Sequence, residues 1–197
     1  DATQGWIPTT DDDVTDVPSK LTVNDEGIFY AGYASSNVAT TNLVSNSGVV
    51  GSDVTGVGSV RYQPAGTEYG GDKGIFGFGQ ISSVTAITNL VSNAGVVATD
   101  TTGVGTARQG LGACQYGAEK GIFGFGYDGS SNAGMTNLIS NAGVVATDVT
   151  AVGTARKYIA ATQYGGDKGI FGFGNTTTEV STTNLVSNAG VVATDTT

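Results

Sequence analysis

The side chains that could do chemistry in this chain recur at fixed spacing. Three arginines occupy equivalent positions, at Arg61, Arg108 and Arg156. Lysines recur at 73, 120 and 168, each directly after an acidic residue at 72, 119 or 167. An enzyme site instead needs different residues that converge on one point. The repetition therefore predicts that these charges make equivalent structural contacts between repeating units.

The residue inventory excludes several common kinds of catalytic and metal site. The chain has no His, and Cys114 is its one cysteine, so a Ser-His-Asp triad and a zinc site are both excluded in practice. Residues 124–129 match the dinucleotide-binding pattern Gly-x-Gly-x-x-Gly, but the equivalent residues of the other units do not, and no helix follows. We predict a protein that is not an enzyme and has no cofactor or metal.

Paired carboxylates for glycoside cleavage are the one catalytic arrangement left open. Glu68, Asp128 and Glu179 stand outside the repeated acidic sets, but nothing in the sequence places two of them together. Cys114 aligns with Thr67 and Thr162, so we interpret it as a small filler of an inner strand.

These residues belong to a tandem repeat. The hexapeptide Gly-Ile-Phe-Gly-Phe-Gly begins at residues 74, 121 and 169, and a looser copy, Gly-Ile-Phe-Tyr-Ala-Gly, begins at 27. The period is therefore about 47 residues, which is typical of stacked repeat architectures. We divide residues 19–197 into module 1 (19–56), module 2 (57–103), module 3 (104–151) and module 4 (152–197), within what could be a longer array.

Residues 1–18 precede the repeat. They contain the single Trp6, two prolines and the acidic run of residues 11–13. We predict an extended segment followed by an acidic linker. Clustered Asp side chains could ligate Ca²⁺, but the spaced ligands and closing Glu of a calcium loop are missing.

The sequence of each module predicts four short strands, which we call a to d, and essentially no helix. In module 2 the small-residue stretch before Tyr69 is strand a, the hexapeptide is strand b, Thr-Asn-Leu-Val-Ser is strand c and Val-Val-Ala-Thr-Asp is strand d. Short segments rich in Gly, Asn and Asp separate them, as hairpin turns require. Alternation along strand b places Phe76 and Phe78 on one face and Ile75 on the other. The fold class is therefore all-β, and both faces of each sheet need cover.

The phenylalanine pairs and the arginines are the predicted structural positions. The paired phenylalanines of strand b are Phe76 and Phe78, Phe123 and Phe125, and Phe171 and Phe173. A four-stranded unit of this size that must stack on its neighbours fits a β-propeller blade. A β-solenoid or a strand-exchanged fibre has the same periodicity and stays open as an alternative.

The loops between strands b and c are the variable part of the repeat. They carry candidate ligand-facing residues on one predicted face, because functional residues concentrate on loops held by a rigid scaffold. Drift in tolerant loops explains the variation equally well. The candidates are Gln80, Ser82, Tyr127, Asp128, Asn132, Asn175 and Glu179.

Charge and hydropathy argue against nucleic-acid binding and against a membrane span. The formal net charge is −9, with 8 basic residues against 17 acidic ones, so nucleic-acid binding is disfavoured. The sequence contains no apolar run of the length that crosses a bilayer, about 18 residues or more. We therefore expect no nucleic acid and no membrane span.

The order of features in a module resembles a kelch-type propeller repeat: an Arg, a small-residue strand, a Gly-bounded aromatic strand and a polar strand pair. Kelch blades usually carry a Trp in the fourth strand and a Gly-Gly doublet after the second, and both are absent here. Residues 89–108, Asn-Leu-Val-Ser-Asn-Ala-Gly-Val-Val-Ala-Thr-Asp-Thr-Thr-Gly-Val-Gly-Thr-Ala-Arg, are similar to near-identical repeats of predicted marine bacteriophage tail or fibre proteins. The leader at residues 4–8 is similar to linker segments of those proteins.

These resemblances imply a structural or adhesive role in a phage virion appendage, such as a tail fibre or spike. The expected partners are other virion or filament subunits in a homo-oligomer, and the expected location is the virion or the extracellular space. Two alternatives are a subunit of an extracellular filament and a carbohydrate-binding propeller that would take a cell-surface glycan on its loop face.

Overall fold

The structure is a computed structural model that describes residues 26–150 and 152–197. The predicted N-terminal segment at 1–18, its acidic run and the first residues of module 1 lie outside this range. The described part is all-β and has no helix, so it contains no helical segment able to cross a bilayer. Its strands are β1 (Gly27–Tyr33), β2 (Asn37–Val44), β3 (Ala65–Tyr69), β4 (Lys73–Gly77), β5 (Thr88–Val91), β6 (Gly112–Tyr116), β7 (Lys120–Tyr127), β8 (Asn132–Ile139), β9 (Ala160–Tyr164), β10 (Lys168–Gly172) and β11 (Thr183–Val186).

Each module forms one small antiparallel sheet. Modules 2, 3 and 4 have three-stranded sheets, in the orders β3-β4-β5, β6-β7-β8 and β9-β10-β11, and the described part of module 1 has the pair β1-β2. The register repeats as well, since Ile75 pairs with Leu90 just as Ile170 pairs with Leu185. The prediction of an all-β chain built from units of about 47 residues is confirmed.

The predicted fourth strand is wrong as a continuous strand. The segment after β5 touches it only through isolated bridges, Val91 to Val97 and Thr88 to Thr101. Between them, the side-chain amide of Asn89 donates to the carbonyl oxygen of Ala98 at 2.9 Å. A side chain therefore takes the place of a ladder hydrogen bond, and the equivalent asparagines of the other modules do the same.

The predicted sharing of one face by Phe76 and Phe78 is also wrong. Phe76 stacks on Tyr30 of module 1, with ring centroids 4.8 Å apart, whereas Phe78 meets Phe123 of module 3 at 5.1 Å. Phe78 has a φ of 64°, in the left-handed region that side chains rarely adopt. This residue breaks the alternation of the strand and turns the second ring towards the following module.

The core lies between modules, because each sheet has an apolar side facing each neighbour. One cluster joins modules 2 and 3 and includes Ile75, Phe78 and Phe123, and another joins modules 3 and 4. Strand a of one module packs beside strand a of the next, so that β6 lies between β3 and β9. Within the described residues the stack has two free ends and is not closed into a ring.

Cys114 lies inside this stack. It is buried in β6, and its sulfur lies against the backbone of Gly169 in module 4, where a Cβ atom would collide with it. Burial raises the pKa of the Cys114 thiol to about 12. The thiol is therefore protonated at neutral pH and packs as a small apolar group.

Candidate functional site at the module junctions and the loop row

The repeated arginines lie at the junctions between modules and are fully buried. Each guanidinium stacks over an aromatic ring of the preceding module: Arg108 lies 4.2 Å from the Phe78 centroid and Arg156 lies 4.3 Å from that of Phe125. The backbone also links the two modules, since the Gly79 N–H donates to the Arg108 carbonyl oxygen at 2.9 Å. Each arginine therefore covers the module before its own.

The polar end of the same side chain is held by its own module. Arg108 Nη2 donates to Asn137 Oδ1 at 2.6 Å, and Nε donates to the carbonyl oxygen of Phe125 at 2.8 Å. Arg108 Nη1 donates to the Thr106 carbonyl oxygen at 3.0 Å and lies 3.8 Å from Asp148 Oδ1. A buried charge is tolerated when its donors are paired in this way.

Asp148 completes the cluster from the partly exposed side. It accepts from the Thr106 hydroxyl at 2.6 Å and from Asn137 Nδ2 at 2.9 Å. Burial alone would raise the pKa of the Asp148 carboxyl, but the Thr106 and Asn137 hydrogen bonds and the Arg108 charge hold it below its ordinary value. Burial lowers the pKa of Arg108 to about 10, and the Asp148 charge opposes that change. Both groups are therefore ionised at neutral pH, and the cluster recurs at Arg156 with Asn184 and Asp195.

The first junction is a weaker version of the same arrangement. Arg61 reaches Asn89 Oδ1 at 2.6 Å but stacks over Tyr30 at 5.2 Å. Its Nε and Nη1 atoms make no hydrogen bond within the described part of the chain, although Nη1 lies 3.7 Å from Asp100.

Module 1 repeats only the amide–carboxylate half of the cluster among the described residues. Asn42 Nδ2 donates to Asp53 Oδ1 at 2.8 Å. In the sequence, Val14 stands thirteen residues before the first hexapeptide, just ahead of module 1, and arginine stands at that spacing before each of the other three hexapeptides. The arginine cluster is thus a property of modules 2 to 4.

The candidate ligand-facing loops form a row along one side of the stack. Asn37 of module 1 donates to the Gln80 carbonyl oxygen at 3.2 Å, and Asn132 of module 3 donates to the Asn175 carbonyl oxygen at the same distance. Gly129 lies against Val84, which brings the loops of modules 2 and 3 together. Neighbouring loops are therefore joined in sequence from module 1 to module 4.

Most of the polar candidates in this row are engaged within the protein. Gln80 Oε1 accepts from the Tyr62 hydroxyl at 2.8 Å, and Asn175 donates to Glu179 at 3.4 Å. Tyr127 donates to the Gly129 carbonyl oxygen and lies under the Lys157 ammonium, 4.5 Å from its ring centroid. Ser82 and Glu179 are exposed. The loops thus offer a polar surface, and none of the described residues form a cluster suited to a metal ion.

Asp128 organises its own loop. Its carboxylate accepts from the backbone N–H groups of Ser131 at 2.7 Å and Ser130 at 2.8 Å, and from both hydroxyls. Those hydrogen bonds lower the pKa of Asp128 to about 2. This carboxylate fixes a turn, and a proton donor for glycoside cleavage would need the opposite shift.

Sequence reasoning missed the partners of the arginines. Asn89, Asn137 and Asn184 each come 28 or 29 residues after an arginine, and the acidic residue of each cluster follows 11 residues later. The equal recurrence of Arg, Asn and Asp in modules 2 to 4 was the signal that could have grouped them.

No protein-family model matches this chain, and a search of curated proteins finds no match.

Proposed function

We propose that this chain is a non-enzymatic structural or adhesive repeat protein of a phage virion appendage, such as a tail fibre or spike. The observation that supports this role best is the recurrence of the buried arginine cluster at successive junctions. The charges of the cluster hold neighbouring modules together, as a structural array of repeats requires. The phage assignment itself rests on the likeness of residues 89–108 to phage repeats.

The proposed finer fold is a kelch-like propeller, with a β-solenoid or a strand-exchanged fibre as the alternative. Every junction uses one surface of a module against a different surface of the next, and such heterologous contacts close into a ring or extend, depending on the rotation per unit. The small residues of strand a, which pack beside one another in successive modules, favour the ring, because an inner strand near an axis has little room.

The loop row supports adhesion to a cell-surface glycan as a second candidate function. Exposed Ser and Thr groups lie beside half-buried Asn side chains and Tyr127 across the modules, and loops on a rigid scaffold are common binding sites. Replacement of residues 127–135 by a Gly/Ser segment should abolish saturable glycan binding. The control makes the same kind of replacement at residues 47–52 of module 1, which are exposed and lie outside this row.

The experiment that tests the virion assignment is to locate the protein. Purified particles from the source would be examined by mass spectrometry and by cryo-electron microscopy with an antibody to this chain. We expect the chain in the particles and the antibody on a fibre or knob. Its presence only in long cell-attached filaments would replace this proposal with the extracellular filament subunit, and its absence from both would overturn each structural assignment.

A further inference from the structure

The two ends of the module stack expose complementary surfaces. We call the outer surface of module 4 the trailing face, defined by Tyr164, Phe173 and Leu185. We call the outer surface of module 1 the leading face, defined by Phe29 and Gly48. All of these residues have equivalents at the internal junctions, so the structure itself shows what each of them contacts when a neighbour is present.

The trailing face lacks the cover that its equivalents have. Phe173 is 59% exposed, whereas Phe78 and Phe125 at the same position are fully buried by the following module. Tyr164 is likewise exposed, while the equivalent Tyr69 and Tyr116 are buried. A cleft of about 560 Å³ beside Phe173 and Tyr158 marks the same surface.

The leading face carries the matching groups. Phe29 is 64% exposed, whereas Phe171 at the same position is buried against Phe125, with ring centroids 5.3 Å apart. A Cβ atom added at Gly48 would meet nothing within 4 Å, whereas one added at the equivalent Gly190 would lie against Tyr116 and Leu138 of the preceding module. The internal junction thus pairs Phe125 with Phe171 and places Gly190 on Tyr116.

We propose that a second copy of this chain docks its leading face on the trailing face, in the geometry of the internal junctions. Phe29 of that copy would pack on Phe173 as Phe171 packs on Phe125, and its Gly48 turn would cover Tyr164 and Leu185. The chain already builds this interface at its three internal junctions, and the docked copy would continue the same stack. Aromatic surface of this extent left in water is also characteristic of an interaction site.

This docking contact is weaker than an internal junction. Val14 stands thirteen residues before the first hexapeptide, at the spacing where arginine precedes each of the other three, so the second copy brings no equivalent arginine to Phe173. The association also costs translational freedom that covalently joined modules do not lose. We therefore expect reversible, concentration-dependent assembly of the full chain.

Sedimentation velocity of the full chain, from about 1 µM to about 1 mM, tests this inference. The wild type should pass from monomer to head-to-tail assemblies as concentration rises. Phe29→Asp and Phe173→Asp should each remain monomeric. An equimolar mixture of the two variants should form dimers only, because each supplies one intact face. Leu185→Asp is a second variant of the trailing face, and circular dichroism confirms that each variant is folded.

The matched control is Val144→Asp, which places a charge on a side chain that is 65% exposed but belongs to neither end face. It should assemble like the wild type. A monomeric wild type over the whole range, assembly of both end-face variants, or loss of assembly in the control would overturn the inference. The inference rests on the proposed structural role only for its biological setting, since the virion test can fail while the two end-face variants still form dimers.

Discussion

Equivalent residues of the repeat form the module 3 side of the junction with module 4 and the trailing face of module 4, but their surroundings differ. Phe125 and Phe173 follow the same Gly-Ile-Phe-Gly sequence and have nearly equal φ angles, 62° and 61°. Phe125 is covered by Phe171 and by the Arg156 guanidinium, and Phe173 is exposed. In a repeat protein the stability that a residue contributes is therefore set by the neighbouring module as much as by its own.

The comparison is tested most strongly by Phe125→Ala against Phe173→Ala. Phe125→Ala should lower the free energy of unfolding by about 3–5 kcal/mol, because it removes a buried ring and leaves a cavity. Phe173→Ala should change it by no more than about 0.5 kcal/mol, as is usual for exposed sites. The backbone strain at the two positions is nearly the same and cancels in the difference. Urea unfolding followed by circular dichroism measures both variants. Equal losses of unfolding free energy would contradict the burial of Phe125 at the junction between modules 3 and 4.

The next test compares Asp148→Asn with Asp53→Asn. Asp148 accepts from Thr106 and Asn137 and faces Arg108, whereas Asp53 accepts from Asn42. Asp148→Asn should cost about 1–3 kcal/mol, because the buried Arg108 loses its counter-charge. Asp53→Asn should cost about 0.5 kcal/mol or less.

The Asp148 effect should depend on pH in a defined direction. The pKa of Asp148 is lowered in the folded state, so its contribution is present above the unfolded pKa of about 4. That contribution is lost as the pH falls through the lower folded value. The difference between wild type and Asp148→Asn should therefore shrink in urea unfolding measured below about pH 4. A difference that grows on acidification would show that Asp148 is not held as the charged form.

The repeat and the β class could be read from the sequence because they rest on local patterns. The spacing of the hexapeptide and the Gly-rich turns specify strands a and b in each module. The direction of Phe78 could not be read, since period-two alternation assumes an extended backbone and this residue has a positive φ. The prediction of a continuous strand d was wrong because the Asn89 side chain takes the carbonyl oxygen of Ala98, which a pattern of residue types does not show.

The junction cluster was only half predictable. Equal spacing identified the arginines as an equivalent set, but the partners come from two different modules. Arg108 stacks on a ring 30 residues earlier and bonds an amide 29 residues later. Contacts between residues so far apart in the sequence produce no pattern that can be read within one module. Only the packing of the sheets shows that the ring, the guanidinium and the amide meet.

The smallest expected effect comes from the turn glycines, Gly143 and Gly48. Their φ angles are 77° and 78°, so a Cβ atom costs both positions the same left-handed strain, about 1–2 kcal/mol. The surroundings differ, because a Cβ at Gly143 would lie 2.9 Å from the Tyr69 ring and from Leu90 of module 2, whereas Gly48 has open space. Gly143→Ala should therefore be less stable than Gly48→Ala by about 1 kcal/mol or more, the cost of overpacking.

Urea unfolding of the two glycine variants gives this difference directly, and the strain common to both drops out. A double variant, Gly143→Ala with Tyr69→Ala, isolates the contact, since removing the ring leaves room for the new methyl group. In that background the extra cost at Gly143 should fall towards the value at Gly48. An unchanged extra cost would assign the overpacking to Leu90 rather than to Tyr69. Equal costs for Gly143→Ala and Gly48→Ala in the wild-type background would contradict the difference between the covered and the uncovered turn.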